Sequence, residues 1–259
     1  MKFDMGKAWT DSVQLLLNNR ELVIVVAGIF LFLPSLALNI LAPSTAIEMA
    51  AANKDAVAEE VVLYFEENWL LFLAYVASTT VGSLSLLALL GRKEKITVGE
   101  AISVGAKATI PYLIASFMVV IALAIVATLI GLLATGLGTV FGLVAGLAFF
   151  IGLIFLFRLI LVGPVMAIEG IRNPISAIVR SWVIVKGNTK YVAAFLVLLV
   201  VALIVLSLVF GMVVSVIGAL LPSGSISLWV SSLFDSLLGA VVSTVGTAVY
   251  ASIHCQLTE

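Results

Sequence analysis

Residues 191–217 read YVAAFLVLLVVALIVLSLVFGMVVSVI, without one charged side chain. A hydrocarbon layer about 30 Å thick is crossed by about 20 residues of helix, so this stretch is long enough to span it. Its apolar side chains point in every direction around a helix axis, which leaves no polar face for water. It therefore reads as a helix that lies in lipid.

The same test is met on either side of it by 22–42, 69–90, 112–134, 139–162 and 228–251, giving six expected spans. Turn-forming residues fall between them: Pro43, Gly91, Gly136 with Gly138, Pro164, Gly187-Asn188, and Pro222 with Gly224. The first apolar run follows Asp4, Asp11 and Glu21 and is longer than a signal-peptide core, so it is expected to be retained. The composition agrees. Of 259 residues, 63% are hydrophobic and 10% charged, against about 25% charged in an ordinary soluble domain. The 13 Lys and Arg nearly balance the 14 Asp and Glu, which leaves no basic excess for nucleic acid. A single His and a single Cys, adjacent as His254 and Cys255, rule out a disulfide framework and a His/Cys metal cage. Neither a metal nor a cofactor is expected.

Basic residues set the direction, because short cytoplasmic loops accumulate Lys and Arg. Lys2, Lys7 and Arg20 precede span 1; Arg92, Lys93, Lys95 and Lys107 lie between spans 2 and 3; Arg158, Arg172, Arg180, Lys186 and Lys190 flank the connection between spans 4 and 5. Lys54, among Glu48, Asp55, Glu59, Glu60, Glu66 and Glu67, is the exception. Both termini are thus expected inside.

The three inner segments share a register. Each opens on a helix cap, Asp4, Thr97 or Asn173; an alanine follows four residues on, at Ala8, Ala101 and Ala177; a small residue follows after four more, at Ser12, Gly105 and Ser181. A helix breaker then stands at Asn18, Pro111 or Gly187. Thr97-Val-Gly-Glu100 fits a capping box, and Asn173-Pro174 fits a cap followed by proline at the first helical position. Each segment is amphipathic and suits the headgroup layer. The expectation is an all-α polytopic membrane protein forming one domain over 1–259. It would consist of three parallel repeats, about 4–91, 97–171 and 173–257, each an interfacial helix followed by a transmembrane hairpin.

Leu161-Val-Gly-Pro-Val-Met-Ala-Ile-Glu169, Asn173-Pro-Ile-Ser-Ala-Ile-Val-Arg-Ser-Trp182, Lys186-Gly187 and Ile96-Thr-Val-Gly-Glu-Ala-Ile102 carry a likeness to a known family. In them the chain resembles the YciC-type bacterial inner-membrane proteins and the membrane domain that accompanies some glycerophosphodiester phosphodiesterases. The resemblance implies a six-span helical membrane domain. It does not extend to the phosphodiesterase domain, since no stretch outside the spans is long enough for one.

Three groups of residues are candidates for function. Arg158, Glu169, Arg172 and Arg180 cluster at the inner end of span 4 and could bind an anionic lipid headgroup; the plainer reading makes Arg158 a depth anchor paired with Glu169. Asp235 is the acid well inside a span, about 10 Å below its outer end, and could be a proton or cation site or simply reach the outer interface. Arg158 lies about 28 Å below the outer end of its own span, too deep to meet Asp235. Gly138, Gly142 and Gly146 form a small-residue ridge on span 4, suited to packing within the bundle or to a homo-oligomer. The expected function is non-enzymatic lipid binding or organisation in the envelope, with membrane lipids as partners. A transporter or flippase for a lipid or small amphiphile is the alternative, and a lipid-sized central cavity would favour it.

Overall fold

The three caps form as their residue types require. Asp4 accepts a hydrogen bond from the Lys7 amide at 3.0 Å, and Asn173 accepts from the amides of Ile175 and Ser176 at 3.0 and 3.2 Å. The Thr97 amide donates to Glu100 at 2.8 Å while the Glu100 amide donates back to the Thr97 hydroxyl at 3.3 Å, completing the capping box. The amides of Ala8, Ala101 and Ala177 close the first turn onto the carbonyls of Asp4, Thr97 and Asn173.

The computed structural model describes residues 3–43, 54–92, 94, 96–137, 152, 156–220 and 225–258, and among them every regular element is a helix. In chain order the helices are α1 Met5–Asn18, α2 Arg20–Ala27, α3 Leu33–Leu41, α4 Lys54–Gly91, α5 Val98–Leu137, α6 Val162–Ile168, α7 Pro174–Val185, α8 Thr189–Leu220 and α9 Ser225–Thr258. Five helical stretches are long and apolar enough to cross a membrane: Arg20–Leu41, Val57–Gly91, Val98–Gly131, Thr189–Gly218 and Ile226–Thr258. They coincide with expected spans 1, 2, 3, 5 and 6. Most of span 4, with Gly138, Gly142 and Gly146, lies outside the described residues.

Two local features depart from the sequence reading. Pro111 does not break the second inner segment from its span; α5 runs through it as one helix. A proline inside a helix removes one backbone donor, and within a bundle neighbouring groups make that loss tolerable. Span 1, by contrast, is interrupted. Between α2 and α3, residues Gly28–Phe32 form a π-helical turn, with the Leu33 amide bonded to the Gly28 carbonyl. Pro34 follows immediately; it lacks the amide that would bond the carbonyl four residues back, and its ring crowds that carbonyl, so the preceding turn widens. The widened turn lies against α4, where a Cβ at Gly82 would come within 2.5 Å of the Phe30 Cβ.

The alanine and small-residue landmarks are where helices meet. Ala8, Ala101 and Ala177 are fully buried, and so in effect are Ser12, Gly105 and Ser181. α1 packs on α9, where the Ser252 hydroxyl donates to the Ala8 carbonyl at 2.8 Å. The first half of α5 packs on α4, with Gly105 so close that a Cβ would press on the Val81 carbonyl. α7 packs beside α6, and its Ser181 hydroxyl donates to the Arg158 carbonyl at 2.7 Å. α1, the first half of α5 and α7 thus each pack against another helix, α1 on α9, α5 on α4 and α7 beside α6.

Candidate functional site

Glu169 ends α6 and holds three elements together. From α7, Arg180 places Nε 2.9 Å from Glu169 Oε2 and Nη2 3.2 Å from Oε1. From α9, His254 Nε2 lies 3.0 Å from Oε1. Burial would push the carboxyl up, but the bonds from Arg180 and His254 and the Arg180 charge outweigh it and hold the group below its ordinary range. An ionised carboxylate only accepts, so His254 Nε2 must carry the proton. Its other ring nitrogen, Nδ1, is buried and has no hydrogen-bond partner among the described residues. Arg92, at the end of α4, forks onto the Ala167 carbonyl through Nε and Nη2 at 3.1 and 3.0 Å, so α6 is also fixed to α4.

The expected pairing of Arg158 with Glu169 does not form. Arg158 stacks over Trp182, with its guanidinium carbon 4.3 Å from the ring centroid, and donates from Nε to the Thr189 hydroxyl at 3.1 Å. The preference of guanidinium for an aromatic face explains the choice. Arg172 is exposed and makes no ion pair among the described residues. The three arginines therefore share the inner end of the bundle but have separate surroundings. Asp235 is exposed on α9. Nearby on the same helix, Ser231 donates to the Leu228 carbonyl at 3.1 Å, and Ser236 accepts from Asn39 Nδ2 at 3.1 Å. His254 was not singled out by sequence reasoning as a contact residue, although the only histidine, placed among apolar neighbours near a helix end, was signal enough to look for a carboxylate.

Above the Glu169 junction lies a cavity of about 1010 Å³. It is enclosed by α4, α5, α9 and the π-turn region, with α6 and α8 completing the wall. Along α4 its lining extends from Tyr75 to Leu87, about 18 Å at 1.5 Å per residue. Most of the wall is aliphatic, and no charged side chain lines it among the described residues. The polar groups are hydroxyls: Tyr75, Thr79, Thr80 and Ser83 on α4, Tyr112 and Ser116 on α5, Ser243, Thr247 and Tyr250 on α9, and Ser35 on α3. Tyr112 and Tyr250 stand at the inner end beside Gly163 and Pro164 of α6. The Tyr112 ring packs beside Gly163, its Cε2 at 3.5 Å from where a Cβ would stand. At the rim, Val120 of α5 and Val200 of α8 are exposed, so the cavity reaches the side of the bundle.

No protein-family model matches this sequence, and neither a curated protein nor a solved structure is similar to it. The fold and site class is that of a helical multi-pass membrane protein with an uncharged internal cavity.

Proposed function

We propose that the protein is a non-enzymatic membrane protein of the bacterial inner membrane that binds lipid in its central cavity. The observation that carries this reading is a cavity of about 1010 Å³ with aliphatic walls, a minority of hydroxyls and no charged lining residue among those described. Such a space suits hydrocarbon and disfavours an ion, whose charge would be unpaired. The opening that Val120 of α5 and Val200 of α8 mark, both exposed at its rim, would give lipid a route that does not cross water. The same opening favours the alternative, movement of a lipid or amphiphile between membrane and cavity.

The architecture belonging to this reading has six spans in three parallel repeats, with both termini cytoplasmic and the YciC-like resemblance covering the chain. The cyclic arrangement of α1 on α9, α5 on α4 and α7 beside α6, each through a buried alanine and a small residue, supports the repeat. In this setting Arg158 and Arg180 fix the inner ends of the helices, and Arg172 is left to meet the headgroups of anionic lipids.

A lipid bearing a photoreactive group in its acyl chain, incorporated into membranes containing the protein, tests the reading. Cross-links are expected on the cavity residues Leu84, Leu199 and Val242 as well as on the outer surface. Cross-links confined to exposed residues such as Leu198 and Val205 would refute it.

A further inference from the structure

The hydroxyls of the cavity fall into two sets. The Thr79 and Thr247 hydroxyls bond back to the carbonyls of Tyr75 and Ser243 at 2.8 and 2.7 Å, the usual solution for a hydroxyl in a helix away from water. Tyr112, Tyr250, Ser83, Ser116 and Ser243 make no side-chain hydrogen bond among the described residues, although all five line the cavity. Hydroxyls at this depth are costly unless something in the cavity satisfies them. A ligand that satisfies them would carry oxygen atoms but no net charge, because no charged side chain lines the cavity among the described residues. The cations nearest its inner end are committed elsewhere: Arg180 to Glu169, Arg92 to the Ala167 carbonyl, and Arg158 to Trp182 and Thr189. The stretch 138–155, which includes most of span 4, contains no charged residue to alter this.

From these observations we infer that the cavity binds a neutral amphiphile: a hydrocarbon chain with an uncharged, oxygen-bearing head, such as a long-chain alcohol or a glyceride. The inference rests on the reading of the cavity as a lipid site and narrows its ligand. The head lies at the inner end, where Tyr112 and Tyr250 donate to its oxygen atoms. The chain runs outward along the aliphatic wall past Ser116 and Ser243 towards Leu31. A phosphate in the same position would be buried without a partner, so anionic phospholipids are excluded from the cavity and remain at the bundle's inner rim. In this arrangement the two tyrosines recognise the head and the absence of charge selects against the commoner membrane lipids.

The test uses the full-length protein, delipidated in detergent, with native mass spectrometry reading occupancy against three probes: dioleoylglycerol, oleyl alcohol, and dioleoylphosphatidylglycerol, which has the same chains as the first. One neutral probe is expected to bind at a single site at least tenfold more tightly than the phosphatidylglycerol. Comparing the alcohol with the glyceride identifies which head is preferred. Tyr112→Phe and Tyr250→Phe should each weaken the neutral probe about fivefold, the loss of one net hydrogen bond. Gly246 lines the cavity, and a Cβ there would meet nothing within 4 Å, so Gly246→Leu should fold and fill the space, abolishing binding. If the phosphatidylglycerol binds as tightly and Gly246→Leu expels it, the cavity is a lipid site but the neutral class is wrong. If Gly246→Leu displaces none of the probes, the lipid site itself is refuted and the inference falls with it. Neutral binding unaffected by either Tyr→Phe change would overturn the role given to the tyrosines.

Discussion

Replacing Gly105 by alanine adds one methyl group where α5 crosses α4. The added Cβ would lie 2.6 Å from the Val81 carbonyl oxygen and 2.9 Å from the Ser85 amide nitrogen, where ordinary contact begins at 3.4 Å, and it would also press on the Ser85 hydroxyl. The hydroxyl could rotate at the cost of its own 2.6 Å bond to the Val81 carbonyl, but the two backbone atoms cannot move without displacing the helix. Overpacking of this kind costs about 1 to 3 kcal/mol. Alanine also gains about 1 kcal/mol over glycine in helix propensity, which would hide part of the effect. Gly131 corrects for this: it lies on the same helix, and a Cβ there would meet nothing within 4 Å. Gly131→Ala should therefore be neutral or stabilising, and the difference between the two variants should equal the packing cost, about 1 to 3 kcal/mol. Reversible unfolding in mixed micelles, titrated with a denaturing detergent, measures both. Equal stability of the two variants would show that α4 and α5 are not in backbone contact at this crossing and would refute the packing account.

Glu169→Gln should remove the acid-side dependence of stability that this carboxyl contributes. Because its folded value is depressed, its contribution is complete above the ordinary carboxylate range and is lost as pH falls through the lower folded value. A melting series from neutral pH downward should fall more steeply for the parent than for the variant, and identical slopes would contradict the assignment. Glu169→Ala should cost about 1 to 3 kcal/mol at neutral pH by leaving buried His254 with neither ring nitrogen bonded; a smaller loss would mean that water replaces the carboxylate. With both termini inside, cysteines at Ser44 or Ser225 should react with an impermeant thiol reagent in intact cells and those at Ser103 or Ser176 should not; labelling of the second pair would overturn the direction. Arg172→Gln should remove as much co-purified anionic lipid as Gln at Arg158, Arg172 and Arg180 together. A much larger loss in the triple variant would show that the three arginines bind headgroups jointly.

Much of the helix content could be read directly because lipid imposes a length and composition that few other environments demand. Five of the expected spans coincide with long apolar helices, and the caps at Asp4, Thr97 and Asn173 form from side-chain chemistry that is local in sequence. The features that escaped reading depend on neighbours. Whether Pro111 ends a helix is decided by the elements packed around it, and the π turn at Gly28–Phe32 reflects both Pro34 and the close approach of Gly82. The attachment of His254 to Glu169 joins residues far apart in the chain, and the preference of Arg158 for Trp182 over Glu169 is a competition that spacing cannot rank. The cavity was more legible than it was made to be. Ser83 four residues after Thr79, Ser116 four after Tyr112, and the series Ser243, Thr247 and Tyr250 each place hydroxyls along one face of an otherwise apolar helix. Three such faces, on α4, α5 and α9, are the polar lining of the cavity.

The bond from Ser252 to the Ala8 carbonyl, with the exchange between Asp4 and Gln256, joins groups separated by 244 and 252 positions in the chain. During synthesis α1 is made well before its partner α9, so the buried face around Ala8 and Ser12 lacks that partner while the intervening helices enter the membrane. Contacts between such distant segments form late and slowly. The contact of α1 with α9 is therefore made only after α9 has been synthesised, and a ribosome stalled before residue 252 would leave the Ala8 carbonyl without the Ser252 hydroxyl. The cavity, walled in part by α9, would not exist before that contact, so a lipid that occupies it either enters afterwards from the side or is enclosed as α9 docks.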